Sequence, residues 1–271
     1  MKNNKLYLIP TPIGNYDDIT IRALKILEFV EILLCEDTRE TGKLLSNFNI
    51  KKKLVSCHDH NEEQMCSKVI EYLDNGLNIG LVTDQGTPII SDPGYKIVSS
   101  VAKKGYDIVS LPGATAFVPA LTLSALAPQP FLFYGFLNSK SSKQLKELDI
   151  LKNYEFTMVF YESPKRIIDT LKNMLEIFGN RKIVIVRELT KKYEEVIRTD
   201  IIEYLNNTFE LKGEIVLVVE GNKQNYQKLA IKEHVNLYLQ DNMTLNEAMK
   251  KVAKERGLAK SIIYKEYHQS K

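Results

Sequence analysis

The stretch "TDQGTPIISDPG", residues 83–94, packs two aspartates, two glycines, two prolines and two threonines into twelve positions. Just before it runs the apolar segment "IGLV", residues 79–82, which reads as a short strand. The twelve residues therefore lie at a strand's carboxyl end. Glycine admits positive φ, and proline fixes φ while removing an N–H, so the composition predicts a shaped loop rather than a continued strand. In open α/β sheets ligands bind at the carboxyl ends of the strands. The end of the stretch predicts a helix start, with Ser91 or Asp92 as cap and Pro93 at the first helical position.

Outward from this loop, β-rich runs alternate with helical periods. Strands are expected at 5–9, 31–35, 53–57, 79–82 and 107–111, with helices at 20–29, 39–48, 62–75 and 92–104. That βαβα order implies a mostly parallel sheet covered on both faces. A second block begins near residue 131, with strands at 131–135, 157–161, 182–187, 194–199 and 214–220 and helices at 143–151, 164–178 and 200–207. Only "ELTKKY" separates two of its strands, too little for a crossover helix, so this sheet is expected to be mixed. "ALAPQP", residues 125–130, reads as the boundary. The expected organisation is an α/β fold of two domains, 1–125 with a parallel sheet and 126–224 with a mixed sheet, followed by a small helical domain at 225–271.

In the last piece Leu245, Met249, Val252 and Ala253 share a helical face, Gly257 interrupts, and Leu258, Ile262 and Tyr264 or Tyr267 resume the period. Two short helices broken at a glycine read either as a helix-turn-helix-like pair or as a hairpin that only packs on the body. From residue 223 onward there are ten Lys and Arg against five Asp and Glu, whereas the whole chain carries only +3. The excess positive charge thus sits in the tail, suited to phosphates or simply to a solvated surface.

At 271 residues, 44% hydrophobic and 26% charged, the chain has the make-up of an ordinary globular protein that can bury two cores. No apolar run approaches the ~18 residues of a membrane span. "MKNNKLYLIP" passes almost directly into a strand without a signal-peptide pattern. The odd set Cys35, Cys57 and Cys66 argues against a disulfide framework, so a cytoplasmic protein with reduced thiols is expected. "CHDH", with Cys57, His58 and His60, is a poor metal site without a partner cluster and reads as polar surface; no metal is expected. Neither Gly-x-Gly-x-x-Gly nor a Gly-x-x-x-x-Gly-Lys-Ser/Thr loop occurs, which excludes the common dinucleotide and NTP sites.

Three further loops follow strand ends. "PTPIGN", residues 10–15, combines two prolines with Gly14. "CEDTR", residues 35–39, alternates acid and base at Glu36, Asp37 and Arg39, and reads either as a polar site or as a helix start capped by Asp37 or Thr38. "LPGATAF", residues 111–117, offers Gly113, Ala114, Thr115 and Ala116, small residues whose N–H groups can face a ligand. Four such loops at the strand ends of one sheet converge on one edge, which is stronger than any one alone.

Taken in order, "PTPIGN", "CEDTR", "DQGTPIISDPGY", "LPGATA", "YESPKR" (161–166), "RELTKKYEE" (187–195) and "GEIVLVVEG" (213–221) resemble the RNA-methylating branch of the tetrapyrrole methylase superfamily over essentially the whole chain. The resemblance implies a two-domain α/β homodimer with S-adenosylmethionine folded into the interdomain cleft. It implies methyl transfer to the ribose 2′-hydroxyl of a cytidine in the decoding region of small-subunit rRNA, on the free rRNA or the 30S particle. Rival readings are a methyltransferase acting on a tetrapyrrole or other small molecule, and a non-enzymatic RNA-binding assembly factor.

By the same resemblance Asp84, Gly86 and Thr87 approach the cofactor, and Asp92 and Pro93 start the next helix. Gly113, Ala114, Thr115 and Ala116 contribute from the other side, Pro12 and Gly14 shape the cleft floor, and Tyr161 faces the cleft from the second domain. Asp37 is expected to orient or deprotonate the acceptor hydroxyl with Arg39 beside it, and Glu162 is the competing base. Lys143, Lys165, Arg166, Arg187, Lys191 and Lys192 are expected to meet the RNA backbone. The chain departs from the family's usual residues at Gln85, which must point away from the cofactor or alter its contacts, at Asn138–Lys140, which weakens a basic contact, and at Lys165, where histidine is common.

Overall fold

The computed structural model describes residues 4–58, 61–207, 212–222, 229–240 and 243–269. It divides into two compact units, Met1–Lys152 with Phe156–Glu220, and Asn153–Glu155 with Gly221–Lys271.

The first unit holds both sheets. Strands β1 (Lys5–Leu8), β2 (Ile32–Cys35), β3 (Lys53–Ser56), β4 (Ile79–Leu81) and β5 (Asp107–Ser110) form an all-parallel sheet in the order β3-β2-β4-β1-β5. β2 reads "ILLC" with every residue buried, the unbroken apolar run expected of a strand covered on both faces. On one face Leu6, Leu34 and Ile79 meet Met65, Val69 and Leu73 of α3 (Glu62–Asp74) and Ile97 and Val101 of α4 (Tyr95–Lys103). On the other, Ile9, Leu33 and Val82 meet Ala23 and Leu27 of α1 (Ile21–Phe29) and Leu45 of α2 (Thr38–Asn47). Thr20 caps α1 by accepting from the Ala23 N–H at 3.0 Å.

After α5 (Phe117–Leu123) the second sheet follows, built from β6 (Phe131–Phe136), β7 (Thr157–Glu162), β8 (Lys182–Arg187), β9 (Glu195–Asp200) and β10 (Ile215–Val219). Its order is β6-β7-β10-β8-β9; only β6 and β7 run parallel, so the sheet is mixed, with β8 and β9 a hairpin as the short connection required. α6 (Ser141–Leu151), α7 (Ile167–Phe178) and α8 (Ile201–Asn206) complete this part.

The start of α4 departs from expectation. The helix begins at Tyr95, not at Asp92, with Gly94 as cap residue at φ 126°. Ser91 is itself at φ 68° and Ile89 at φ 77°, so the chain is still turning where a helix was expected. The cap comes from afar: the buried Glu62 carboxylate accepts from Gly94 N at 3.1 Å and Lys96 N at 2.7 Å. A residue 32 positions away does the work assigned to Ser91 or Asp92. α7 likewise starts at Ile167, after a turn through Pro164.

The second unit carries three helices among its described residues, α9 (Ile231–Gln240), α10 (Leu245–Arg256) and α11 (Lys260–Gln269), where two were expected. Thr244 and Glu247 form a reciprocal capping box at the start of α10, and Gly257 ends it at φ 63°. Met249, Val252 and Ala253 are buried, but Leu245, Leu258, Ile262 and Tyr264 are exposed; Ile263 is buried instead, and Tyr267, the other tyrosine expected, packs half-buried on the same core. The turn at Gly257 resets the helical phase, so the period could not be carried across it. α9 was hidden because its buried face includes His234 and Tyr238. His234 accepts at Nδ1 from Arg256 Nε (3.0 Å), which leaves its proton on Nε2 to donate to Glu255 Oε2 (3.0 Å). Among the described residues no helix is long and apolar enough to cross a membrane.

Gly80, central in β4, has no room for a side chain: a Cβ would lie 2.7 Å from Leu33 Cδ1 and 2.9 Å from Ile9 Cδ1. Gly80→Ala is expected to lower stability by about 1–3 kcal/mol through overpacking. A fall in the urea midpoint at unchanged m would show it; an unchanged midpoint would mean the core yields freely there.

Candidate active site

The parallel sheet delivers four loops to one edge, and hydrogen bonds tie them together. Thr11 and Gly86 exchange backbone hydrogen bonds (Thr11 N to Gly86 O 2.8 Å, Gly86 N to Thr11 O 3.0 Å), and Thr11 Oγ1 donates to Thr83 O at 3.1 Å. The loop after β1 is thus laced to the loop after β4. Thr87 Oγ1 donates to Ala114 O at 2.9 Å, adding the loop after β5. Gly113 lets that loop close on Pro10, whose ring would stand 2.4 Å from any Cβ. The loop after β2 joins through Asp37 N, which donates to Asp84 Oδ1 at 3.1 Å.

These loops face residues from the second sheet across a cavity of about 650 Å³, within the usual range for a small-molecule site. From the first side come Ile13, Gln85, Gly86, Thr87, Asp92, Thr115 and Ala116. From the second come Phe136, Tyr161, Val186, Glu188, Lys191 and the strand start around Glu214. The walls are largely aliphatic and aromatic with a few convergent polar groups. A smaller cavity of about 340 Å³ shares Ile13 and Thr115 with it and adds Asp18, Gly113, Ala114 and Thr190.

Of the expected cofactor residues, Gly86, Thr87, Asp92, Thr115, Ala116 and Tyr161 therefore line the larger cavity, and Gly113 and Ala114 line the smaller. Pro12, Gly14, Asp84 and Pro93 line neither. Gly14 has a different part: a Cβ would lie 2.4 Å from Lys191 Cγ and 2.9 Å from Thr190 Oγ1, so it lets the loop after β8 close on the loop after β1. Gln85 lines the cavity rather than standing clear of it.

Asp37 caps α2, accepting from Arg39 N at 2.8 Å. Arg39 also reaches its carboxylate with Nε (3.1 Å) and Nη2 (2.6 Å), while remaining 84% exposed. Those hydrogen bonds hold Asp37 well below the usual carboxylate range. Burial pushes the neighbouring Asp84 up, against the pull of the Asp37 N–H. Two adjacent carboxylates thus have their pKa values driven apart.

Glu162 is differently placed. Its side chain is 1% exposed and accepts from Thr170 Oγ1 (2.6 Å) and Ser163 N (2.8 Å), with Arg166 Nε at 3.3 Å. Gln144 Nε2 donates to Thr170 Oγ1 at 3.1 Å, extending the network inward. Arg166 Nη2 donates to Leu137 O at 2.8 Å. The carboxylate is a buried anchor for the turn between β7 and α7. Beside it, burial pushes the Tyr161 phenol up to about 12, so it keeps its proton at neutral pH.

The basic residues expected at RNA divide in two. Lys143, Lys165 and Lys192 are exposed. Arg166 is held as described, Arg187 pairs with Glu195, and Lys191 Nζ lies between Glu188 Oε1 (3.2 Å) and Glu214 Oε2 (2.8 Å) inside the cavity wall. Sequence reasoning missed Glu188, Glu214 and Phe136 as wall residues. "RELTKKYEE" and "GEIVLVVEG" pointed to the right segments, but nothing local says that Glu188 turns inward at φ 50°. Among the described residues no group of His, Cys, Asp or Glu could hold a metal ion; His60 lies outside them.

Residues 5–204 match the family model of the tetrapyrrole (corrin/porphyrin) methylases. A protein of Bacillus subtilis (strain 168) named ribosomal RNA small subunit methyltransferase I is 46% identical over 273 residues, covering 97% of this chain and 94% of its own. One of the same name from Vibrio cholerae serotype O1 is 41% identical, covering 96% and 93%. Among solved structures, uroporphyrin-III-C-methyltransferase from Thermus thermophilus superposes with a TM-score of 0.60 at 19% identity, over 80% of this chain and 94% of that one. A further structure of that enzyme, complexed with S-adenosylhomocysteine, gives 0.59 at 16%, over 80% and 97%. With the family model matched along most of its length and relatives above 40% identical over nearly all of it, the chain belongs to the tetrapyrrole methylase family.

Proposed function

We propose that this protein transfers the methyl group of S-adenosylmethionine to the ribose 2′-hydroxyl of a cytidine in the decoding region of small-subunit rRNA. The observation that carries the reading is the cleft of about 650 Å³, built by loops of both sheets, in a chain whose relatives at 41–46% identity are named as small-subunit rRNA methyltransferases. The residues suit the donor: an aliphatic and aromatic interior for a nucleoside, and acidic groups at Asp92, Glu188 and Glu214 for a cation. When bound, the donor supplies an electrophilic methyl on a sulfonium. The reading extends to a cytoplasmic homodimer acting on rRNA or the 30S particle, on the strength of the family resemblance.

The chain's own part is to position the acceptor and take its proton. A general base works best with a pKa near the operating pH. Asp37, held low by Arg39, is a weak base and suits orientation, with the exposed Arg39 guanidinium reaching toward a phosphate. Asp84 does not line the cavity itself but directly precedes Gln85, which does; raised by burial and bonded to Asp37 N, it is the better acceptor for the proton of a hydroxyl brought to that edge. Glu162 has its donors inside the fold and holds the rim in place. Lys143, Lys165 and Lys192, with the basic tail, carry the RNA backbone.

Single-turnover methylation of small-subunit rRNA, with donor binding measured separately by calorimetry, divides these roles. Asp84→Asn is expected to slow transfer about 10²–10⁴-fold, the range of general-base catalysis, with donor affinity within about threefold. Asp37→Ala should cost less, and Glu162→Gln least. Full turnover by Asp84→Asn would remove it from the chemistry. In cells, loss of the protein should erase one 2′-O-methyl mark on small-subunit rRNA, whereas methylation of a porphyrin without RNA would transfer the reading to a small molecule.

RNA affinity is expected to fall steeply with salt, at about 0.7–0.9 logarithmic units per unit of log[salt] for each phosphate neutralised. Replacing Lys143, Lys165 and Lys192 together by alanine should flatten that slope by about 2. An unchanged slope would put the RNA elsewhere.

A further inference from the structure

The wall formed by Glu188, Lys191 and Glu214 carries more negative charge than its lysine neutralises. Lys191 Nζ binds both carboxylates, at 3.2 Å and 2.8 Å, so two acids share one base and a surplus of one negative charge remains. The acid nearer the interior is Glu188, 20% exposed against 63% for Glu214. Glu188 is seated by construction: its Oε1 also accepts from Glu214 N at 3.0 Å, and its carboxylate fills the notch left by Gly213, 2.2 Å from where a Cβ would stand. Across the cavity stands Asp92, while Glu162 is offset by Arg166. Among the described residues that line the cavity, Lys191 is the one cation, set between Glu188 and Glu214.

A methyl donor and its spent product differ by a charge. The sulfonium carries a fixed positive charge, and loss of the methyl leaves a neutral thioether with the same nucleoside and amino-acid parts. Contacts to those shared parts cannot tell the two apart; a field of one sign can. In a partly enclosed site a single surplus charge within several ångströms shifts a binding constant severalfold.

We propose that the Glu188–Lys191–Glu214 wall sets the preference of the cleft for the charged donor over the demethylated product, with Glu188 supplying most of the effect. The proposal deepens the assignment of the cleft to S-adenosylmethionine and rests on it. Lys191 then tempers the field instead of meeting RNA, and its removal acts opposite to removal of either acid.

The test is equilibrium calorimetry of the full-length protein with S-adenosylmethionine and with S-adenosylhomocysteine, at low and high salt. Glu188→Gln, which keeps the shape and the acceptor for Glu214 N, is expected to lower the donor-to-product affinity ratio about three- to tenfold. Lys191→Met, which keeps the stem packed on Gly14, should raise the ratio by a similar factor, and both shifts should shrink at high salt. Should Glu188→Gln fail to fold, Glu214→Gln takes its place with a smaller shift in the same direction. A ratio that stays within twofold in the acidic variant and in Lys191→Met, or that moves the same way in both, overturns the proposal. Failure of the unaltered protein to bind either compound would instead remove the assignment of the cleft to this donor.

Discussion

The antiparallel bridge between Thr11 and Gly86 is the joint on which the cleft depends. β1 and β4 run parallel as neighbours, yet their outgoing loops turn back and pair with each other for one residue. Gly86 accepts this at φ 83°, where a side chain would be strained even though a Cβ would meet Ile13 only in ordinary contact at 3.4 Å. The bridge sets Ile13 on one side and Gly86–Thr87 on the other, and the Thr87 bond to Ala114 O carries the brace to the next loop. Loops are ordinarily the mobile part of an α/β fold. Here three are cross-tied by the chain's own hydrogen bonds, and a wall so held loses little freedom on binding.

Backbone strain gathers around the same cleft. Among the described residues, six other than glycine have positive φ, and four of them, Ile89, Ser91, Glu188 and Thr190, stand on loops that border it. Such conformations cost on the order of 1–3 kcal/mol each and persist where neighbours over-determine them. The determinants are visible. Glu188 N donates to Glu214 O, its carboxylate accepts from Glu214 N and Lys191, Gly213 clears the space for that carboxylate, and Gly14 clears it for Thr190 and Lys191. The loop after β8 is aimed rather than loose.

The architecture was legible where periodicity and loop chemistry agree. "IGLV" followed by "TDQGTP" gave both a strand and the site at its end, because a buried parallel strand is apolar throughout and its outgoing loop needs glycine and proline. The mixed second sheet followed from the brevity of "ELTKKY". What could not be read were partners distant in sequence. Glu62 capping α4 and Glu162 buried against Thr170 each depend on a neighbour that no local window contains. α9 escaped because a buried histidine, satisfied by Glu255 and Arg256, breaks the apolar stripe.

Charge shows the same limit, and it shapes the proposed chemistry. "TKK", residues 190–192, reads as one basic patch, yet Lys191 turns into the cleft between two carboxylates while Lys192 stays exposed. One residue's difference in position separates a lysine held between carboxylates in the cleft wall from one open to solvent. That separation bears on the proposed reaction, which joins a cationic donor to a polyanionic acceptor. A basic cleft would repel the sulfonium and draw phosphate into its place; an acidic exterior would repel the RNA. In the proposed reaction the acidic surplus of the wall favours the cationic donor inside the cleft, and a phosphate drawn toward it would meet an opposing field, so an uncharged acceptor hydroxyl has the easier approach.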